Sequence, residues 1–325
     1  MSAVLAIEDL WVRYGELAAV RGANIELEPG KVAALIGETG CGKSSLALAT
    51  GRLLPSTASI AGRIAIAGRD IVPMSHEELR SVRGVKVGFV TQDAMAALNP
   101  VLPVRRQIGE LFEIHRGASR AEAERQAVDA LRTVQIRDPE AVARLYPHQL
   151  SGGMRQRVMI AMALALSPPL IVADEPTTAL DVSIQAEILR LISGLRQQLG
   201  TAILWITHDM GVVAELADVV AVMYAGRIVE LGTVEQVFDA PRHPYTEALL
   251  RTLRDLRSGS RGHLMYQVPG QPPSLDAMIP GCPFEMRCER ASDVCRIEDP
   301  ALVRDGDVLV ACHHPGLPAR EGANR

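Results

Sequence analysis

The apolar run Val32-Ala33-Ala34-Leu35-Ile36 passes directly into Gly37-Glu38-Thr39-Gly40-Cys41-Gly42-Lys43-Ser44, a complete G-x-x-x-x-G-K-S pattern. A strand, a glycine loop and a helix in immediate succession account for that order, and they constrain the chain to an α/β fold. Glycines let the loop wrap closely around a phosphate chain. Backbone N–H groups and the N-terminus of the following helix then supply positive potential. In such a loop Lys43 reaches the β- and γ-phosphates and the Ser44 hydroxyl ligates Mg²⁺.

Four further elements follow in order. Gln92 succeeds the strand-like Lys86-Val87-Gly88-Phe89-Val90, and Leu150-Ser151-Gly152-Gly153-Met154-Arg155-Gln156 opens a helix. Leu170-Ile171-Val172-Ala173 ends in Asp174-Glu175, and the apolar run from Thr201 to Thr207 ends in His208. Together these motifs resemble the ABC-type ATPases over roughly Val4 to Ala240. The resemblance implies a P-loop NTPase of ABC type, with a mixed sheet core and a helical subdomain inserted at about residues 95–166.

It also implies the site. Gly37 to Ser45, with Glu38, Thr39, Gly40, Cys41 and Gly42 between, hold the phosphates of ATP, and Tyr14 stacks on the adenine while Trp11 goes to the core. Ser44, Gln92 and Asp174 hold Mg²⁺. Glu175 is the general base that polarises the attacking water, and His208 contacts the γ-phosphate while orienting Glu175. Asp209 is placed to cap the next helix. Ser151, Gly152 and Gly153 present a second set of N–H groups, meant for ATP on a second nucleotide domain facing head to tail, with Asp181 coupling the two sites. ATP closes that dimer and hydrolysis releases it.

At about 150 residues per domain, 325 residues hold about two units. A net charge of −4 gives no bulk attraction to nucleic acid. The longest uncharged apolar run, Val158 to Leu166, is far too short to span a bilayer. Glu8 and Asp9 stand where a signal peptide would be basic and then apolar, so the expected location is the cytoplasm, with reduced thiols. Short strands are expected at Val4–Ile7, Leu10–Val12 and Ile25–Leu27, and a hairpin around Ala225-Gly226. Ser119-Arg120-Ala121-Glu122 has capping-box form. Ile184, Ile188, Leu191, Leu195 and Leu199 form a core-facing helical stripe stopped by Gly200.

Three longer signatures narrow the resemblance: Gln92 to Pro100, Glu175 to Val182, and Arg242 to Leu250. They look like those of the dipeptide/oligopeptide permease ATPases of D type, with residues 1–240 as the nucleotide-binding domain and 241–325 as a loop-rich C-terminal extension. The resemblance implies an importer at the cytoplasmic face of the membrane. Its partners are a second, F-type ATPase subunit, two transmembrane permease subunits and an extracytoplasmic binding protein. Di- or oligopeptides are the first choice of cargo, with nickel chelates, glutathione or opine-like solutes as alternatives. A non-transport ABC ATPase is the rival, and it is disfavoured by the single cassette and the lack of a long coiled-coil insertion.

Cys282, Cys288, Cys295 and Cys312 are separated by five, six and sixteen intervening residues among prolines and glycines. A small region with little apolar periodicity needs a staple, and a reduced compartment disfavours disulfides. The spacing lacks a zinc knuckle. A [4Fe-4S] cluster, which the permease resemblance also favours, ranks ahead of zinc, and free buried cysteines rank third. His313 and His314 can substitute as ligands, and the tail can be a structural clamp or a redox-sensing module. Cys41, at a helix N-terminus, is expected to have a lowered pKa and to be a bystander open to alkylation.

Overall fold

The computed structural model describes residues 3–178, 181–258, 268–274 and 279–316. Among the described residues the strands are, in chain order, β1 (Leu5–Tyr14), β2 (Leu17–Leu27), β3 (Val32–Ile36), β4 (Ala58–Ile66), β5 (Arg69–Asp70) and β6 (Val87–Val90), then β7 (Leu170–Asp174), β8 (Ala202–Ile206), β9 (Val219–Tyr224), β10 (Arg227–Thr233), β11 (Val303–Asp305) and β12 (Val308–Val310). They sort into an antiparallel sheet of order β2-β1-β4-β5 and a mixed sheet of order β11-β12-β10-β9-β3-β8-β7-β6. β9, β3, β8, β7 and β6 run parallel, and β3 and β8 are buried at every residue. Parallel strands covered on both faces read as such continuous apolar runs.

The first strands differ from expectation. β1 runs unbroken from Leu5 to Tyr14, because register shifts between Ile7 and Leu10, with Asp9 at φ 43°, let the polar pair Glu8-Asp9 pass through the ladder. A bulge interrupts side-chain alternation without ending a strand. Trp11 is not a core residue. Its Nε1 donates to Asp9 Oδ1 at 3.0 Å and the Arg13 guanidinium lies over its ring, whereas Trp205 on β8 is fully buried.

Helices fill the stretch before β7: Val104–Arg116, Arg120–Thr133 with the Ser119 hydroxyl accepting from Glu122 N–H, and Gly152–Leu164. They share one apolar core with the outer face of β6, β7 and β8. The helix Val182–Leu199 ends at Gly200, φ 64°. Its buried face comprises Ile188, Leu189, Leu191, Ile192 and Leu195, and the last turn extends past the core, leaving Leu199 exposed.

Residues beyond Ala240 are built onto the same body. β12 pairs with β10, extending the mixed sheet. Tyr245 and Phe284 meet Tyr224 of β9 with ring centroids 4.6 and 5.3 Å away, the second edge-on at 87°. His243 is buried beside Phe284, and its Nδ1 accepts from Tyr245 N–H at 3.0 Å.

Phe284→Ala removes the shared ring of this cluster and is expected to destabilise the chain by about 3–5 kcal/mol. Met286, 94% exposed, is the control, and its alanine variant should stay within about 0.5 kcal/mol. Urea midpoints check both. Burial also holds the His243 imidazole down to about 3, so the folded chain keeps it neutral while the unfolded chain protonates it below about 6.5. Acidification through that window therefore favours unfolding, by up to about 1.4 kcal/mol per pH unit. His243→Gln should flatten the wild-type slope of unfolding free energy between pH 6.5 and 5.

Candidate functional site

β3 delivers the glycine loop to the N-terminus of the helix Lys43–Ala49, whose first turn opens from Gly42 at φ 106°. The Lys43 side chain folds back over the loop, and its Nζ donates to the carbonyls of Gly37 and Glu38, both at 2.8 Å. A cavity of about 490 Å³ runs along the loop and is lined by Tyr14, Thr39, Gly40, Gly42, Lys43, Ser44, Ser45, Gln92, Glu175 and His208. Residues drawn from β1, the loop and the ends of three further strands thus share one wall. Tyr14 sits at its rim, with Oη 3.2 Å from the Ser45 hydroxyl.

The two acids at the end of β7 have different surroundings. Asp174 is hydrogen-bonded to Ser44, and burial, with the Glu175 charge beside it, pushes its carboxyl above the ordinary range against the pull of Ser44 and Lys43. Its Oδ1 is buried and has no hydrogen-bond partner. An unpaired buried carboxylate oxygen next to a hydroxyl fits a divalent cation, which would supply the missing positive charge. Glu175 is held on every side. His208 Nδ1 lies 3.2 Å from Oε1, Gln92 Nε2 donates to Oε2 at 3.2 Å, and the Thr178 hydroxyl donates to Oε2 at 3.0 Å. Its backbone is left-handed at φ 46°, with its N–H donated to Ile206 O at 2.9 Å. A carboxylate so oriented at the cavity wall can accept a proton from a water.

Other sequence-chosen residues lie elsewhere. Ser151 caps the helix Gly152–Leu164, its hydroxyl accepting from Met154 N–H at 3.3 Å; neither it nor Gly152 nor Gly153 lines the cavity. Asp181 is exposed at the start of the helix Val182–Leu199 and makes no side-chain cap. Asp209 does cap its helix, accepting from Gly211 and Val212 N–H. Cys41 turns away from solvent at 5% exposure, and burial pushes its thiol up rather than down, outweighing Lys43. The expectation of a lowered pKa and alkylation is thereby corrected: the thiol faces the core, where desolvation exceeds the effect of the helix terminus.

Residues not foreseen complete the picture. Thr178 holds Glu175, and its only sequence signal was its place within the Glu175 to Val182 signature. Tyr245 and Arg287 reach Glu38 from beyond residue 240; Tyr245 stood within the Arg242 to Leu250 signature without a role, and Arg287 had no local motif to announce it.

In the extension, each cysteine sulfur has a hydrogen-bond partner: Cys282 accepts from the Phe284 backbone, Cys288 from Arg290 N–H and Cys312 from His314 N–H, and Cys295 pairs with the Ser292 hydroxyl. Burial, with the charge of the other three thiols, pushes Cys282 up to about 11. Cys288 and Cys312 are raised by burial and by their cysteine neighbours too. The four thiols converge, yet among the described residues no group of three or more His, Cys, Asp or Glu side chains is closed enough to hold a metal ion. All five cysteines are free.

No helix among the described residues is long and apolar enough to cross a membrane. Residues 20–178 match the ABC transporter family, and residues 229–295 match the C-terminal region of oligopeptide/dipeptide transporters. A probable peptide ABC transporter ATP-binding protein of Sinorhizobium fredii is 48% identical over 92% of this chain and 91% of its own length. The oligopeptide transport ATP-binding protein OppD of Bacillus subtilis is 44% identical over 98% of this chain and 91% of its length. Among solved structures, a dimeric ATP-binding cassette in a post-hydrolysis state with ADP and Pi superimposes with a TM-score of 0.63 at 28% identity, over 71% of this chain and 98% of the cassette. A cassette with this loop, these strand-end carboxylates and this C-terminal region hydrolyses ATP to drive transport, and the chain belongs to the ATP-binding subunits of the oligopeptide/dipeptide type of ABC transporter.

Proposed function

We propose that the chain powers import of di- or oligopeptides from the cytoplasmic face of the membrane, docked on two permease subunits and paired head to tail with a second, F-type ATPase subunit. An extracytoplasmic binding protein delivers the peptide. The observation that carries the reading is the convergence of Lys43, Ser44, Gln92, Glu175 and His208 on one cavity, joined to a C-terminal region matching that of peptide transporters. Residues 1–240 act as the nucleotide-binding unit, and 241–325 as the permease-type extension. Residues of about 95–166 form the helical arm, whose exposed Met95 and Val101 offer apolar contact to a permease segment.

Each residue's role follows from its surroundings. Tyr14 lies under the adenine, and the loop from Gly37 to Ser45 binds the phosphates of ATP through its N–H groups and Lys43. Ser44, Asp174 and Gln92 would hold Mg²⁺, which when bound neutralises phosphate charge. Glu175 takes the proton of the attacking water at a carboxylate oxygen, while Gln92, Thr178 and His208 hold that oxygen pair in place. Ser151, Gly152 and Gly153, the first two exposed at a helix start, meet ATP bound by the second subunit, and the exposed Asp181 couples the two sites. Cys282, Cys288, Cys295 and Cys312 would hold a [4Fe-4S] cluster, with zinc as the alternative. The hydrogen bond at every sulfur supports a bound core, which would staple the loops together.

Glu175→Gln is expected to lower ATP hydrolysis by about 10²–10⁴-fold while ATP still binds, and to abolish peptide uptake into vesicles carrying the assembled complex. Uptake at the wild-type rate would count against the base assignment. The chain purified without oxygen should carry about four iron and four acid-labile sulfide per molecule. Cys288→Ser should lose both. Zinc in their place would leave a structural clamp, and no metal would remove the cluster reading.

A further inference from the structure

Glu38 puts a carboxylate into a loop that receives a polyphosphate, where an unpaired negative charge opposes binding. That carboxylate is gripped from the C-terminal extension. Arg287 Nη1 donates to Oε2 at 2.7 Å and Nη2 to Oε1 at 2.9 Å, a bidentate fork. Arg287 is itself fixed: Nε donates to Pro269 O at 2.8 Å, Nη1 to Tyr224 Oη at 3.2 Å and Nη2 to Val268 O at 3.3 Å. Its guanidinium stands 5.7 Å from the Tyr224 ring and 5.8 Å from the Phe284 ring, and its side chain is 5% exposed. The backbone of Glu38 is held as well. Its N–H donates to Tyr245 Oη at 2.8 Å, and its carbonyl accepts from Lys43 Nζ at 2.8 Å. Side chain and amide of one loop residue are thus tied to residues beyond 240, and its carbonyl to the lysine of the phosphate site.

We propose that Arg287 is a positioning residue for ATP binding, neutralising Glu38 beside the phosphate chain and, with Tyr245, fixing the loop segment on which Lys43 rests. The inference depends on ATP binding alone, not on peptide cargo or on a cluster at the cysteines. Glu38 and Arg287 line a second cavity, of about 730 Å³, which adjoins the cavity along Lys43 and Ser44 because Thr39 and His208 line both.

The sign of the charge effect distinguishes this role from packing. The full-length chain is titrated with Mg–ATP against a ribose-labelled fluorescent ATP, alongside thermal melting. Arg287→Gln should weaken ATP binding by roughly tenfold, because Glu38 is left unpaired near the phosphates. Adding Glu38→Gln to it removes that charge and should bring affinity back to within about threefold of wild type, and salt should shrink the single variant's loss. Arg287→Lys keeps the charge without the fork and should lose less than Arg287→Gln. The proposal is overturned if Arg287→Gln binds ATP as wild type does. It is equally overturned if the double variant or Arg287→Lys is as weak as Arg287→Gln, with affinity tracking melting temperature, since the contact would then be structural only.

Discussion

At the end of β3 the chain passes so close to neighbouring backbone that side chains are excluded. A Cβ on Gly37 would lie 2.2 Å from Met223 O, and one on Gly42 would lie 2.1 Å from Ala19 O. The phosphate loop is thereby wedged between the end of β9 and β2, and its conformation is set by the sheets. Everything else in the site is measured from that wedge. The parallel ladder matches Leu35 with Ile206, Ile206 with Asp174, and Ala173 with Val90, so the ends of β3, β8, β7 and β6 fall at one edge. The strand order therefore sets the order of chemistry across that edge: Lys43, then His208, then Asp174 and Glu175, then Gln92. Sites of open α/β sheets form at this carboxyl edge for the same reason.

That logic explains what the sequence disclosed. Gln92, Glu175 and His208 were legible because each stands just past a short apolar run, and a buried parallel strand writes such a run into local sequence. The Gly200 stop and the Ser119 and Asp209 caps were legible as local backbone chemistry. Contacts between distant parts of the chain left no such trace. Arg287 meets Glu38 across 249 residues, and neither residue has a pattern that names the other. Trp11 and Cys41 were misjudged because residue type alone does not say which way a side chain faces. A bulge turned Trp11 outward, and the loop turned Cys41 inward, where desolvation decides its acidity.

The extension is fastened by several kinds of force. Tyr245 and Phe284 bury apolar area against Tyr224, and β12 adds ladder bonds at the edge of β10. Asp299 pairs with Arg21 of β2 and with Arg227 of β10, linking both sheets to one acid. Glu230, buried on β10, accepts from the N–H groups of Arg242 and His243 at 2.7 and 2.9 Å, turning the chain into the helix that carries Tyr245. A carboxylate that replaces lost hydration with two backbone donors can stay buried, and removing it would orphan both. The same attachments that order the extension also aim Tyr245 at the phosphate loop.

Asp174 and Glu175 show how adjacent residues acquire unlike chemistry. Asp174, the last residue of β7, turns to Ser44 and Lys43, while Glu175, just past the strand end, turns to Gln92 and His208. Glu175 reaches its place only by adopting φ 46°, a conformation that costs a non-glycine residue about 1–2 kcal/mol. The bond to Ile206 O and three side-chain contacts offset that cost and leave the carboxylate little rotational freedom. Asp174 pays instead in hydration, keeping one oxygen buried and without a partner. One strand end therefore offers an oriented proton acceptor beside a cation-seeking oxygen, and two acids in equivalent surroundings could not divide those tasks.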